Sequence, residues 1–143
     1  MLRSILVSVL LAFPLAAQAG DMVLNDIKAK NGVQLSTDEL NQLMPKAKVI
    51  SYVARGTRRW TNELEGKFVA YSDVGHNMRQ LMTQITGHGT WHIGKDGTYC
   101  VAIDWPQRTE KWCKYIFKVN GKYYAVKSAV DGDAIASEFE FTK

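Results

Sequence analysis

The chain of 143 residues carries 18 lysines and arginines against 14 aspartates and glutamates, which gives a formal net charge of +4. This excess is too small for the strongly basic surface of a nonspecific nucleic-acid-binding protein, so we expect no nucleic-acid partner. The length suits one domain with a hydrophobic core of its own.

The N-terminal segment, residues 1–19, has the three regions of a secretory signal peptide. Arg3 precedes an apolar run over residues 5–17, and "AQA" supplies the small-x-small cleavage pattern. Cleavage after Ala19 would leave a mature chain that begins at Gly20. No later segment approaches the roughly 20 apolar residues of a transmembrane helix. The sequence therefore predicts a protein without a membrane span, periplasmic in a Gram-negative bacterium or secreted.

After an N-terminal extension over residues 20–34, a single β-rich domain is predicted to span residues 35–143. It begins with a short helix inside "LSTDELNQLMP". Ser36 suits the N-cap, and Glu39, three residues later, completes a capping box. Pro45 cannot continue the helix. The pattern predicts two to three helical turns before the first strand.

Beyond this helix, short segments rich in β-branched and aromatic residues alternate with turn residues about every 8–12 positions. This rhythm is typical of an antiparallel meander of about eight strands, mainly β, in a lipocalin-like or partly open barrel. Asn120-Gly121 is a two-residue hairpin signal. The predicted strands are Lys48–Val53, Arg59–Leu64, Lys67–Ser72, Met78–Ile85, Thr90–Ile93, Thr98–Asp104, Lys111–Val119, Lys122–Ser128 and Ser137–Thr142.

The hairpin turns fix the register around the two cysteines. A turn at "WPQR" places Cys100 directly opposite Cys113, at a separation that a disulfide can bridge. An oxidising compartment preserves such a bond, so we predict a structural disulfide. The "GKDG" turn is expected to place Trp91, or Ile93 if it is tighter, opposite Cys100, on a face that would pack as a core.

The opposite face of the same strands is also apolar, whereas a solvated face should be mostly polar. Either another element covers it, or it is an exposed patch that binds a partner. The second alternative predicts a non-enzymatic binding module for a protein or a small amphipathic ligand. The residues of this candidate binding face are His92, Tyr99, Val101, Trp112, Ile116 and Tyr123.

Three arginines and a tryptophan lie together in "ARGTRRW". Guanidinium groups bind carboxylates and phosphates, and an aromatic ring can stack on a sugar. The segment is therefore a candidate anion or glycan site, unless it is a solvated charged turn. As a glycan site it would suit a small envelope hydrolase or lyase. Its residues are Arg55, Arg58, Arg59 and Trp60.

A third alternative is a periplasmic metal-binding protein. His88 and His92 are four residues apart and could join Met82 in a copper site. However, Gly87 and Gly89 make a regular strand at His88 unexpected. The sequence contains no recognised catalytic motif, and we expect neither catalytic residues nor a cofactor.

The capped "L-S-x-x-E-L" helix, "GTWHIGKDGTYC", "WCKYIF" and "VNGKYYAV" resemble the small secreted bacterial proteins of domain-of-unknown-function family 995. The resemblance covers residues 35–127. "PKAKV" stands where such proteins usually have a "G-x-T" stretch. The resemblance implies export and a β-domain with paired cysteines, and it carries over no activity.

Overall fold

A computed structural model of the protein describes residues 21–73 and 84–143. The predicted signal peptide, Met82 and most of the predicted strand Met78–Ile85 lie outside these residues. Among the described residues, no helix has both the length and the apolar character needed to cross a membrane.

The described residues form two helices and nine strands. The helices are α1 (Leu24–Ala29) and α2 (Thr37–Leu43). The strands are β1 (Val33–Gln34), β2 (Lys48–Val53), β3 (Gly56–Thr61), β4 (Lys67–Ser72), β5 (Ile85–Ile93), β6 (Tyr99–Trp105), β7 (Arg108–Val119), β8 (Lys122–Val126) and β9 (Ala136–Thr142).

Strands β2 to β9 close into an antiparallel barrel, which confirms the prediction of a mainly β, barrel-like fold. The order around the wall is β7-β6-β5-β4-β3-β2-β9-β8, and β8 pairs with β7 to complete the circle. The long strand β7 pairs with β6 up to Lys114 and with β8 from Tyr115 onward. The short strand β1 pairs with β7 beyond the end of β6, with Val33 opposite Lys118.

Helix α2 closes one end of the barrel and begins as the sequence predicts. The Ser36 hydroxyl accepts a hydrogen bond from the Glu39 amide at 3.1 Å, and the Glu39 carboxylate accepts one from the Ser36 amide at 3.2 Å. Leu40 and Met44 are fully buried in the main hydrophobic cluster. The capping box thus orients the apolar side of a short helix onto the barrel.

Large aromatic side chains fill the barrel interior near α2. The Tyr99 ring makes edge-to-face contacts with Trp112 and Phe141, at centroid distances of 5.8 and 5.9 Å. Trp60 stacks on Phe68 at 5.2 Å. An eight-stranded barrel is just wide enough for side chains to fill it. This end therefore holds a packed core.

Helix α1, which the sequence analysis missed, covers part of the outer wall. Leu24 and Ile27 are fully buried and pack with Phe117 and Val126, which point outward from β7 and β8. This second cluster explains why these strands are apolar on both faces.

The expected pairing of Cys100 with Trp91, or with Ile93 through a tighter turn, is wrong. Trp91 lies opposite Val101, and His92 lies opposite Cys100. The turn after Ile93 runs through residues 94–98, closed by a 2.8 Å hydrogen bond from the Gly94 amide to the Thr98 carbonyl. A shift of one residue moves every side chain of a strand to the other face. Trp91 and Ile93 consequently pack against the main cluster, and the cysteines lie outside it.

The expected irregularity at His88 is also wrong, because β5 is continuous through both glycines. A Cβ on Gly89 would lie 2.2 Å from the Phe68 ring, and one on Gly87 would lie 2.6 Å from the Trp105 ring. The glycines make room for aromatic rings inside the barrel.

Candidate functional site

The end of the barrel opposite α2 carries a partly buried ionic cluster. One Arg58 nitrogen, Nη1, lies 2.8 Å from each carboxylate oxygen of Glu110. The Trp105 indole N–H donates to the same carboxylate at 3.0 Å, and the Arg58 guanidinium lies over the Trp105 ring at 5.4 Å. We call Arg58, Trp105, Arg108 and Glu110 the mouth site.

Strand alternation and barrel closure bring these side chains together. On β3, Arg58 lies on the same side as the buried Trp60, and Arg59 lies on the outside. Trp105 and Arg108 flank the turn between β6 and β7, where they pair directly. Arg58 and Glu110 are 52 residues apart in the chain and meet only because the wall is closed.

The Arg58–Glu110 pair is largely shielded from solvent, with side-chain exposures of 17% and 20%. Burial alone would raise the pKa of the Glu110 carboxyl. Three groups outweigh this effect of burial: the hydrogen bond from Trp105, the charge and hydrogen bonds of Arg58, and the charge of Arg108. The pKa of Glu110 therefore lies below its usual value. Glu110 is therefore ionised at neutral pH.

The mouth retains an excess of positive charge and an unused donor. Among the described residues, the Nε atom of Arg58 is a buried side-chain nitrogen without a hydrogen-bond partner. Lys114 lies deeper, with its ammonium group 4.7 Å from the centroid of the Trp112 ring. Burial first, and then the charges of Lys127 and Arg58, lower the pKa of Lys114 despite the nearby Glu110. An added anion would relieve this repulsion.

A cavity of about 560 Å³ opens at the mouth site. Its wall combines apolar surface with two guanidinium groups, a combination that suits a ligand with one anionic and one apolar part. The lining residues are Arg58, Ser72, Ile85, Trp105, Pro106, Gln107 and Arg108.

The predicted binding face lies mostly inside the barrel. Tyr99 and Ile116 are fully buried, and Trp112 and Tyr123 are half-buried against the main cluster. His92 is exposed on the outer wall. The barrel wall curls around this apolar face, so the six residues do not form one exposed surface. The sixth, Val101, is also buried within the main cluster.

Trp60 and Tyr99 belong to a buried polar network that also includes Asn62. The Trp60 indole N–H is shared between the Asn62 side-chain oxygen and the Tyr99 hydroxyl, both at 3.1 Å. The Tyr99 hydroxyl donates to that Asn62 oxygen at 2.6 Å. Burial raises the pKa of Tyr99 far above its ordinary value, more than its hydrogen bonds lower it. Internal bonds satisfy these groups, so we assign the network a structural role.

The predicted anion segment does not form one site, because its residues point in different directions. Arg55 lies in the turn between β2 and β3, and Trp60 is buried. Arg59 is exposed and forms an ion pair with Asp73 at 2.8 Å. Arg58 alone contributes to the mouth site. The sequence spacing did not indicate Glu110 as the partner of Arg58, and Glu110 is not among the predicted site residues.

The two described histidines share the outer face of β5. Strand geometry places their Cα atoms about 13 Å apart. With both side chains perpendicular to the strand, this separation is too large for one ion to bind both. Among the described residues, no group of three or more histidine, cysteine or acidic side chains could hold a metal.

The predicted disulfide is confirmed. Cys100 lies directly opposite Cys113, and their sulfur atoms are bonded. The bond joins neighbouring strands on the outer wall.

Comparison of the chain with protein-family models, curated proteins and solved structures gives no match. The resemblance to domain-of-unknown-function family 995 therefore stays a prediction.

Proposed function

We propose that this protein is a non-enzymatic binding module that takes a small amphipathic anion at the mouth site. The observation that carries the proposal is a guanidinium group fixed at the wall of an apolar cavity. Glu110 and Trp105 hold Arg58 in place, and Arg108 adds a second positive charge beside it.

The charge balance of the mouth favours an anion over a neutral ligand. Within the mouth site, Glu110 provides one negative charge against the two positive charges of Arg58 and Arg108. A carboxylate or sulfate can form charge-assisted hydrogen bonds with guanidinium N–H groups. Because Arg58 is held before the ligand arrives, binding costs little side-chain entropy.

The apolar part of the ligand would contact Ile85, Trp105 and Pro106, which line the cavity. The cavity lies within the size range of small-molecule sites. The packed aromatic core limits the depth of entry, so the ligand would sit at the mouth. A short acyl chain or a single aromatic ring fits this description.

Titration of the full chain with decanoate, followed by tryptophan fluorescence, tests the proposal. Trp105 lines the cavity, so binding should change its emission. We expect decanoate to bind saturably and decanol, which has the same chain length without the charge, to bind at least about tenfold more weakly.

Two arginine variants provide the matched comparison. Arg108→Gln removes a mouth charge, whereas Arg59→Gln removes an exposed arginine on the outside of the wall. We expect Arg108→Gln to weaken decanoate binding about tenfold, or ~1.4 kcal/mol, and Arg59→Gln to leave it unchanged. Equal effects of the two substitutions, or equal affinities for decanoate and decanol, would contradict the proposal.

We also propose that the protein works outside the cytoplasm, because an oxidising compartment preserves a disulfide such as Cys100–Cys113. The mass of the protein purified from its native host tests this. A mature chain beginning at Gly20 supports signal-peptide cleavage, and an intact N-terminus contradicts it.

A further inference from the structure

The disulfide lies on the outside of the barrel, and neither sulfur belongs to a hydrophobic cluster. Cys113 is exposed, whereas Cys100 is only 4% exposed. A reagent can therefore reach one sulfur without opening the barrel. Reduction would also leave both clusters intact.

The two sulfur atoms have different surroundings. The Thr98 hydroxyl oxygen lies 3.5 Å from the Cys100 sulfur, and a Cβ on Gly94 would lie at the same distance. This packing shields Cys100, so an incoming thiolate would attack Cys113. Cys100 would then be the leaving group.

Polar and charged side chains on three elements lie around this part of the outer wall. His92 lies opposite Cys100 on β5, and Lys111 precedes Cys113 by two residues on the same face of β7. The Lys111 ammonium group is a neighbouring cation, which favours the thiolate form of cysteine. Asp96, in the turn before β6, has the opposite charge, and its carboxylate accepts a hydrogen bond from Thr98 at 2.6 Å.

We propose that Cys100–Cys113 is a thiol–disulfide exchange site whose co-substrate is a small thiol or dithiol. The thiolate of the co-substrate attacks the Cys113 sulfur and forms a mixed disulfide. The Cys100–Cys113 bond breaks, and its electron pair leaves with the Cys100 sulfur, which takes up a proton. With a dithiol, the second thiolate then attacks the co-substrate sulfur of the mixed disulfide. This step releases Cys113, so the protein is reduced by two electrons and the dithiol is oxidised to a disulfide.

This site lies on the outer wall and does not rest on ligand binding at the mouth. The first test is the reduction of the oxidised full chain by dithiothreitol under native conditions. We expect a rate proportional to reductant concentration and an unchanged far-ultraviolet circular dichroism spectrum after reduction. A rate that saturates would mean that the barrel must open first, and it would overturn the proposal.

Single-cysteine variants test the asymmetry between the sulfurs. Cys100→Ser leaves the exposed thiol and Cys113→Ser leaves the shielded one. We expect the first variant to react with glutathione disulfide at least about tenfold faster than the second. Equal rates, or glutathione attached mainly to Cys100 when the oxidised wild type reacts with glutathione, would overturn the assignment.

His92→Ala and His88→Ala form a matched pair on the same face of β5. We expect His92→Ala to slow reduction on the order of threefold, because a side chain that can donate a hydrogen bond beside the leaving Cys100 sulfur is lost. His88, which lies opposite Asp104 and away from the disulfide, should have no effect on this rate. Equal rates in the two variants would overturn the role of His92.

Discussion

Glu110→Gln should destabilise the protein because it leaves the Arg58 charge without its counter-ion in a shielded place. Breaking a fully buried ion pair from one side costs about 3–5 kcal/mol. The side chains here are 17% and 20% exposed, and glutamine keeps one acceptor oxygen. We therefore expect a loss of about 2–3 kcal/mol in the free energy of unfolding.

Urea denaturation followed by circular dichroism measures this loss, with Asp73→Asn as the matched control. Asp73 also pairs with an arginine on β3, but that arginine, Arg59, is 52% exposed. An exposed pair contributes about 0–1 kcal/mol, so Asp73→Asn should change stability by less than about 1 kcal/mol. If the two variants lose the same free energy, the cluster does not stabilise the protein as argued.

The pH dependence of stability provides an independent check on the direction of the Glu110 contribution. The pKa of Glu110 is lowered in the folded state, so its contribution to stability is fully present above the unfolded-state pKa of about 4.3. It is lost as pH falls through the lower folded-state pKa. The difference in stability between wild type and Glu110→Gln should thus be constant above about pH 5.5 and shrink below about pH 4.5. A difference that grows as pH falls would refute the reasoning.

Two further substitutions test the barrel interior. Gly89→Ala forces a Cβ within 2.2 Å of the Phe68 ring, so it should lower the free energy of unfolding, measured by urea denaturation, by about 1–3 kcal/mol. Thr90→Ala, on the outer face, is the control and should lower it by less than about 1 kcal/mol. Equal losses would contradict the close packing at Gly89. Tyr99→Phe removes the donor to the buried Asn62 oxygen and should cost about 1–2 kcal/mol without changing decanoate affinity at the mouth. A weakened affinity would show that the network belongs to the binding site.

The sequence predicted those features that local residues determine. Ser36 and Glu39 specify the start of α2, and the Asn120-Gly121 turn fixes the β7–β8 register. The turn at "WPQR" placed Cys100 opposite Cys113 correctly. Each of these depends on residues that are close in the chain, where turn and cap chemistry leave few alternatives.

The features that the sequence missed depend on a single residue in a turn or on distant contacts. One additional residue in the turn after Ile93 reverses the faces of β5 relative to β6. The six-residue helix α1 offers only Leu24 and Ile27 as buried positions, too few for a periodic signal. Without α1, the apolar outer face of β7 and β8 was mistaken for the main core.

The mouth site illustrates why function was harder to predict than fold. In the sequence, Arg58 belongs to an arginine-rich run, and only strand alternation separates its role from that of Arg59. Its partner Glu110 follows an ordinary turn, and nothing near it indicates an ion pair with β3. Closure of the barrel wall brings Arg58 and Glu110 together, and this ion pair holds the Arg58 guanidinium beside an apolar surface. An arginine held in this way by its own carboxylate leaves the second anion to a further donor group, and the Arg108 guanidinium at the cavity wall meets that condition.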